Sequence, residues 1–328
     1  MRIGVFQVLP APEGVSDGEV VERALGEADF AEANGFDSVW IAEHHLSSFG
    51  LVGAPSVYAA AVAQRTRRIE IGYAVAVVPL HHPIRLAEEI AWVSHLSRGR
   101  TLVGMGPGFS PFEFTAYGVA LEERHERLEE GSAVLRGLLG GGTFTHTGKH
   151  WDVPPVELRP RPFGGQAPPF LHAISGEQSL LRAAALGEPL LFGLKPLSEI
   201  AAGIALYRSV RSRLGASSES IDNETSRFRV LRRIVVAACE QQALADARRA
   251  LAREAEPGSR VLGGCVGSPE TVLEGLRAVG RLGIRRVIAW LNFGDLPHAS
   301  ARRSRELLAR EVMPRLAVGG ATREEMAS

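Results

Sequence analysis

The alternation of short apolar runs with amphipathic segments constrains the fold of this 328-residue chain more than any other feature. The apolar runs are rich in Val and Ile, and most are followed by a segment with helical periodicity. The predicted strands lie at residues 3–8, 38–42, 69–75, 101–104, 170–173, 189–192, 228–238 and 286–291. Parallel neighbours need long crossover connections, so strands that alternate with helices indicate a parallel sheet. Eight such units predict an α/β fold closed into a (β/α)8 TIM barrel.

We expect a single domain over residues 1–328, because barrels of roughly 250 residues commonly stay undivided. The predicted helices lie at residues 17–34, 55–65, 84–96, 121–139, 177–186, 196–214, 241–253, 269–282 and 299–316. Two insertions are expected. The first, at about residues 140–168, contains a hairpin at 143–153 and an extended proline-rich loop at 154–169. The second, at about residues 253–267, contains a mobile glycine-rich loop at 256–267. A doubly wound open sheet is the alternative, but no Gly-x-Gly-x-x-Gly motif follows the first strand.

The charge balance argues against nucleic-acid and membrane-surface proteins. The chain has 37 basic and 37 acidic residues, whereas those classes normally carry a basic excess. No stretch approaches the ~20 apolar residues of a membrane span. Residues 1–10 lack the pattern of a signal peptide, and the two cysteines, Cys239 and Cys265, form no disulfide framework. We therefore expect a cytoplasmic protein that binds neither nucleic acid nor membrane.

The loop after the second predicted strand carries the strongest candidates for chemistry. Glu43, His44 and His45 follow the strand directly, and barrel active sites lie at the carboxyl ends of the strands. Histidine titrates near pH 6.5 and suits proton transfer. A supporting or helix-capping role for the histidines remains open at this point. A metal site is disfavoured, because adjacent side chains point apart and no third ligand follows at suitable spacing.

Glycine and serine mark two further loops. Gly104 and Gly106 belong to a Gly-x-Gly-x-Gly segment that lets the backbone approach a ligand closely. Ser175, Gly176 and Ser179 stand at a helix start, where free N–H groups favour an anion, although an ordinary helix cap explains them equally well.

Several motifs in order resemble one known family. They are Glu-His-His-x4-Gly at residues 43–50, His-Pro-x-Arg at 82–85, Ser-Arg-Gly-Arg at 97–100, the Gly-x-Gly-x-Gly loop at 104–108 with Glu113-Phe114, Arg124-x2-Arg127, Thr145-His146-x-Gly148 and Ser175-x3-Ser179. Together they resemble the bacterial-luciferase-like flavin-dependent monooxygenases. The resemblance runs from residue 2 to about residue 187 and resumes at 266–270 and 293–314.

The resemblance implies a barrel that binds FMN at its C-terminal face. A separate flavin reductase would deliver reduced FMN, which would react with O2 to give a C4a-peroxyflavin that oxygenates a small organic substrate. His44 matches the family's catalytic histidine, supported by His45 and Glu43. The family's non-prolyl cis bond falls at Ala74-Val75, against the flavin ring. The phosphate would lie near Ser175, Gly176, Ser179 and Gly106, with Gly104 in the same glycine-rich strand end.

The same resemblance suggests a substrate pocket and two departures from bacterial luciferase. Phe6, Phe109 and Trp290 are candidate pocket residues, although Phe6 and Trp290 are equally explained as core aromatics. Gly106-Pro107 replaces Cys-Arg, which removes an Arg that would neutralise the phosphate, and Ser175-Gly176 replaces Glu-Ser. Both departures argue against light emission.

Two alternatives to the monooxygenase remain open. A deazaflavin-dependent hydride-transfer oxidoreductase would need a basic channel for its acidic tail, and only Arg182 flanks residues 175–179. An inactive flavin-binding partner subunit would have less reason to keep both histidines. The resemblance implies a homodimer, and the composition is compatible with natural-product biosynthesis. The substrate and the type of oxygenation (hydroxylation, epoxidation or Baeyer–Villiger insertion) stay open.

Overall fold

Eight parallel strands form a closed ring in the computed structural model, which describes residues 1–252 and 265–318. The strands of the molecule are β1 (Arg2–Gln7), β2 (Ser38–Ile41), β3 (Glu70–Val77), β4 (Thr101–Gly106), β5 (Thr143–Thr147), β6 (Asp152–Glu157), β7 (Phe170–Ile174), β8 (Leu190–Phe192), β9 (Arg229–Val236), β10 (Cys265–Gly267) and β11 (Arg286–Trp290). The main sheet runs in the order β10-β9-β11-β1-β2-β3-β4-β7-β8, and β8 pairs with β9 to close the ring. The predicted TIM barrel is therefore confirmed.

The helices surround the ring and lie between successive strands. They are α1 (Asp17–Ala33), α2 (Pro55–Arg65), α3 (Pro83–Ser97), α4 (Pro111–Ala116), α5 (Arg124–Gly140), α6 (Glu177–Leu186), α7 (Leu197–Arg213), α8 (Ser218–Ser226), α9 (Glu240–Ala250), α10 (Pro269–Arg281), α11 (His298–Leu307) and α12 (Met313–Val318). Side-chain caps set several starts: Ser16 accepts from the Glu19 amide and Ser268 from the Thr271 amide. Across the described ranges, none of these helices has the length and apolar character needed to cross a membrane.

A small apolar cluster fills the inside of the ring. It consists of Trp40, Leu102, Leu171, Leu191 and Ile288, all buried. The Trp40 ring lies where a side chain of Gly72 would otherwise stand, since a Cβ there would overlap the indole, and a Cβ at Gly4 would overlap Ser38. This cluster separates the base of the barrel from the space above it, where Phe6, Ala74, Val75 and Leu231 pack against it.

Two short helices were not predicted. Helix α4 has a serine cap, since Ser110 accepts from the Glu113 amide, and Pro111 stands at its first position. Helix α8 is capped in the same way by Ser217, which accepts from the Ser220 amide. Serine before a short helical run is a recognised start signal, so these caps were the sequence evidence for both helices.

Three predicted segments differ in the structure. Strand β6 continues to Glu157 through Pro154 and Pro155, where an extended loop was predicted. Proline is tolerated there because β6 pairs only with β5 in a two-stranded sheet and needs no donors on its other edge. Of the predicted mobile loop, residues 265–267 form β10, and residues 253–264 lie outside the described residues. The closing helix is interrupted by a π-helical turn at Leu308–Val312, because Pro314 cannot donate to the carbonyl one turn earlier.

We predict that Gly104→Ala destabilises the barrel by about 1–3 kcal/mol, because a Cβ at this position would overlap the carbonyl oxygen of Tyr73 on the neighbouring strand. The matched control is Gly26→Ala in α1, where a Cβ meets nothing within 4 Å. That substitution should stabilise the helix by about 0.5–1 kcal/mol. Urea unfolding of both variants checks the pair, and equal unfolding midpoints would contradict it.

Candidate active site

A cavity of about 590 Å³ opens at the carboxyl ends of the barrel strands. Its volume lies within the range of ligand sites, about 300–1,000 Å³. The predicted site residues that line it are Phe6, Glu43, His44, Ala74, Val75, Gly106, Phe109, Ser175 and Trp290. The lining is mainly apolar, with a few polar groups concentrated around His44. The structure thus brings together residues from β1, β2, β3, β4, β7 and β11.

Four predicted site residues do not line this cavity. Gly104 lies within β4, where its missing side chain makes room for the Tyr73 carbonyl. His45 is buried behind His44. Gly176 and Ser179 belong to the start of α6 beyond Ser175, which does line the cavity. Ser179 accepts from the amide of the lining residue Ser175, so the start of α6 lies beside the cavity wall.

Glu43 is the buried acceptor that organises the histidine loop. Its Oε1 atom lies 2.9 Å from His45 Nε2 and 2.7 Å from His81 Nε2, and its Oε2 accepts from the Val77 amide at 2.8 Å. Burial opposes ionisation, but the hydrogen bonds from both histidines, the charge of His81 and the Val77 amide together lower the pKa of Glu43 to about 2. Glu43 is therefore a carboxylate at neutral pH, and the paired His81 has a raised pKa because the carboxylate outweighs its burial.

The hydrogen bonds of His45 define its tautomer. A carboxylate only accepts, so His45 Nε2 must donate to Glu43. Its Nδ1 atom lies 2.8 Å from the Tyr117 hydroxyl and, in the neutral ring, accepts from it. Burial together with the nearby carboxylates Glu43 and Glu113 raises the pKa of Tyr117, which keeps the hydroxyl protonated as a donor. His45 therefore has both ring nitrogens engaged and serves to hold the loop.

His44 faces the cavity and has a different set of contacts. Its Nδ1 atom lies 3.3 Å from Glu113 Oε1, and Phe49 packs edge-on against its ring at a centroid distance of 4.7 Å. Burial lowers the pKa of His44, and this effect exceeds the opposing influence of Glu113, which raises it by charge and hydrogen bonding. The ring is therefore neutral near pH 7, with Nε2 as the nitrogen that remains for a ligand. A neutral imidazole in an apolar cavity is suited to accept a proton.

The wall beside His44 is formed by the end of β3. The Ala74-Val75 peptide bond is cis, as the family resemblance implied. Gly106 on β4 stands directly against it, because a Cβ there would overlap the Val75 side chain. Ala74, Val75 and Gly106 therefore present a nearly featureless apolar surface to the cavity.

The helix start after β7 is occupied largely by its own hydrogen bonds. The amides of Ser175 and Gly176 both donate to Ser179 Oγ at 3.1 Å, and that hydroxyl donates to the Gly176 carbonyl. Helical geometry leaves the amides of Glu177 and Gln178 without an acceptor inside the helix. Arg182, the cation closest in sequence, forms an ion pair with Glu129 on α5.

Aromatic side chains form a further part of the cavity wall. Phe6 packs edge-on against Trp290 at 5.4 Å between centroids, and Phe49 lies 6.5 Å from Trp290. The Trp290 indole donates to the Asn292 carbonyl, so its polar edge is satisfied and its apolar face is left for packing. The buried Arg233 guanidinium lies 4.8 Å from the Trp290 ring centre. Phe109 stands at the mouth of the cavity and is 70% exposed.

The sequence interpretation missed three residues of this arrangement as site residues. Glu113 was quoted only as part of a motif, Tyr117 was not singled out, and Arg233 was included in a strand. The cap signal at Ser110 would have placed Glu113 on a short helix above the strand ends. Arg233 lies in a strand, β9, that the sequence predicts to be buried. Burying a charged side chain costs free energy unless it is paired, so its presence there was the available signal of a special role.

A family profile described as luciferase-like monooxygenase matches residues 1–262. The chain belongs to the luciferase-like monooxygenase family. The family suggested by the sequence motifs is therefore confirmed. The 4-hydroxyprotoasukamycin monooxygenase of Streptomyces nodosus subsp. asukaensis is a relative, 27% identical, and the alignment covers 96% of this chain and 92% of that protein.

Solved structures share the fold of this luciferase-like monooxygenase. The monooxygenase RslO1 from Streptomyces bottropensis has a TM-score of 0.86 at 24% identity, covering 96% of this chain and 100% of that one. The oxygenating constituent of 3,6-diketocamphane monooxygenase from Pseudomonas putida, a type II Baeyer–Villiger enzyme solved with FMN, has a TM-score of 0.82 at 21% identity, covering 96% and 98%. An F420-dependent secondary alcohol dehydrogenase also shares the fold, with a TM-score of 0.77 at 18% identity, covering 95% and 98%.

We predict that Glu43→Gln removes a pH-dependent part of the stability. The folded pKa of about 2 lies below the ordinary 4.5, so the stabilisation is present above pH 4.5 and is lost as pH falls toward 2. The wild type should lose about 3 kcal/mol more than the variant over this range. Urea unfolding between pH 6 and pH 2 measures the difference, and the exposed Glu122→Gln serves as control. Parallel curves for wild type and Glu43→Gln would refute the assignment.

Proposed function

We propose that the protein is an FMN-dependent monooxygenase that uses reduced flavin and O2 to oxygenate an apolar organic substrate. The observation that carries the proposal is the position of His44: a neutral imidazole that faces an apolar cavity beside the Ala74-Val75 wall. An acid–base group beside a flat, water-poor surface is what oxygen activation by a reduced flavin requires. Family membership and the FMN-bound relative of the same fold support the same assignment.

The residues present fit the two chemically different parts of FMN. The flat apolar surface of Ala74, Val75 and Gly106 suits one face of a planar ring system. The Ser175 hydroxyl and the free amides in the first turn of α6 would hold the phosphate. Because Pro107 stands where a basic residue would neutralise the phosphate, these backbone donors would take over that task. Bound there, reduced FMN would supply the electrons that activate dioxygen.

The protein's own contribution is to manage protons and exclude water. His44 would accept or return a proton at Nε2, since Nδ1 faces Glu113. Glu43 and His45 would hold the loop in place through their hydrogen bonds, without contact between the His45 ring and the cavity. The apolar lining keeps water away from the reacting atoms, which strengthens each polar interaction inside.

The aromatic lining supports a substrate with a planar, apolar body. Phe6, Phe49 and Trp290 form a continuous edge-to-face series, and Phe109 extends the apolar surface to the mouth. Exposed aromatic area around a cavity mouth is typical of a binding surface for an apolar ligand. A natural-product intermediate of this kind would fit; hydroxylation, epoxidation and Baeyer–Villiger insertion are all compatible with such a body.

An F420-dependent hydride-transfer enzyme is the second candidate, because an F420-dependent dehydrogenase shares the fold. The charges at the start of α6 disfavour the F420-dependent enzyme. The amides of this turn could hold a single phosphate, but the further negative charges of the long deazaflavin tail would lie near Glu177, and the Arg182 cation is already paired with Glu129. An inactive flavin-binding subunit is disfavoured by the complete hydrogen-bond network around Glu43, His44 and His45.

We further propose a homodimer and a separate reductase that supplies reduced FMN, in a reducing cytoplasm that suits the two free cysteines. The outer faces of α2 and α3 support the dimer. Val57 is 71% exposed, and Trp92 and Leu96, one turn apart on α3, are 59% and 36% exposed. Apolar side chains of this size on adjacent helices favour association with a second copy.

The test of the function is an anaerobic titration with reduced FMN, followed by mixing with oxygenated buffer in a stopped-flow spectrophotometer. We expect binding and an oxygen-dependent spectral transient that free reduced FMN does not show. His44→Ala should bind FMN with unchanged affinity and lose turnover by at least ~100-fold, because it removes the acid–base group. Near-wild-type turnover of the variant would remove His44 from the mechanism, and binding of reduced F420 without binding of FMN would assign hydride transfer instead.

For the dimer, we predict that Trp92→Glu raises the dissociation constant at least ~10-fold, because a charge would replace a large aromatic contact. Light scattering at micromolar concentration measures the mass. Leu214→Glu, at an apolar position that is 59% exposed at the end of α7, is the control and should leave the mass unchanged. A monomeric wild type would contradict the dimer itself.

A further inference from the structure

Glu113 lies between the two histidines of the loop, although it is far away in sequence. It is 4% exposed and stands in the first turn of α4, where its amide donates to Ser110 Oγ. Its Oε1 atom accepts from the His45 amide at 2.9 Å and lies 3.3 Å from His44 Nδ1. One buried carboxylate oxygen therefore contacts the backbone of His45 and the ring of His44 at the same time.

We propose that Glu113 is the positioning residue that holds His44 as the Nδ1–H tautomer and thereby directs an unprotonated Nε2 into the cavity. A carboxylate only accepts hydrogen bonds, so the His44 nitrogen that faces it must carry the proton. A neutral imidazole has one proton, so Nε2 is then the basic atom. The inference rests on the role of His44 in the proposed function.

The other carboxylate of the site does not fill this role. Both oxygens of Glu43 are occupied by His45, His81 and the Val77 amide. It acts on His44 only through its charge. The two acids thus divide the histidines between them: Glu43 fixes His45 and His81, and Glu113 fixes His44.

The contact also affects the protonation of His44. The charged and titratable groups that act on its ring are Glu113 from α4 and Glu43 and His45 from its own loop, and Arg233 lines the same cavity from β9, against Trp290. Burial lowers the pKa of His44 and Glu113 partly offsets it. Removing the charge of Glu113 should therefore lower the pKa of His44 further.

The experiment compares wild type with Glu113→Gln in the protein without added flavin. Gln has the same shape, and its amide oxygen can still accept from the His45 amide, so the loop should keep its fold. Two-dimensional 1H–15N NMR of the imidazoles reports both the tautomer and the pKa of each ring. We expect the Nδ1–H form of His44 to predominate in wild type, and a mixture of tautomers with a lower pKa in Glu113→Gln. The signals of His172, whose Nδ1 atom lies 2.8 Å from Glu188, should not change and serve as an internal reference for the fold.

Glu130→Gln is the matched control. Glu130 also accepts from backbone amides, those of His150 and Trp151, and lies 3.3 Å from a histidine ring nitrogen, that of His146. It lies on α5 and contacts the β5–β6 hairpin, away from the cavity lining. This variant should leave the tautomer and pKa of His44 unchanged.

The kinetic arm separates positioning from mere loss of structure. In turnover with reduced FMN, Glu113→Gln should lower kcat at least ~10-fold, less than the loss in His44→Ala, with little change in KM. The acidic limb of the rate profile should move to lower pH, because His44 then stays neutral further into the acid range. Unchanged His44 tautomer and pKa in Glu113→Gln would overturn the proposal. The NMR result stands whether or not FMN binds, so a failure of the proposed function would be recognised separately.

Discussion

The packing of Trp40 inside the barrel is the constraint on which the rest of the structure depends. Eight strands enclose a space that side chains must fill, because an empty apolar cavity there would forfeit dispersion contacts. Trp40 and four apolar side chains fill it, and Gly72 on the neighbouring strand has no side chain where the indole lies. Arg229 stacks on the same ring at 4.8 Å and pairs with Glu70, which closes the base. The space above this layer is left open as the cavity.

The polar groups that line the cavity are Glu43, His44, Glu113, Ser175 and Arg233, and the rest of the lining is mainly apolar. Glu43 is a buried charge, and burial of a charge is tolerated only when hydrogen bonds satisfy it. The donors come from His45, His81 and the Val77 amide, so the carboxylate ties the loop after β2 to the end of β3. His44 is left at the cavity surface. Phe49 and Phe109 pack edge-on against its ring, and burial favours the neutral imidazole.

Features that depend on neighbouring residues in the sequence were predicted, whereas several that depend on tertiary contacts were not. The eight barrel strands were predicted because each contains a run of apolar residues, a pattern that local burial alone produces, although β9 also carries Arg229, Arg232 and Arg233. Helices α4 and α8 were missed because they are short and bury few residues, although each has a serine cap. The β6 strand was missed because Pro154 and Pro155 normally argue against a strand, and only the presence of a single pairing edge permits them.

The sequence by itself determined the barrel, the loop on which His44 lies and the family to which the chain belongs. Only the tertiary structure decided which acid serves which histidine. Glu113 is 69 residues from His44 and His81 is 38 residues from Glu43, and no periodicity relates positions so far apart. Their contacts arise because parallel strands deliver their carboxyl ends to one face of the barrel. The tautomers, the lowered pKa of His44 and the shape of the cavity follow from that convergence, which is a property of the closed ring and of no single segment.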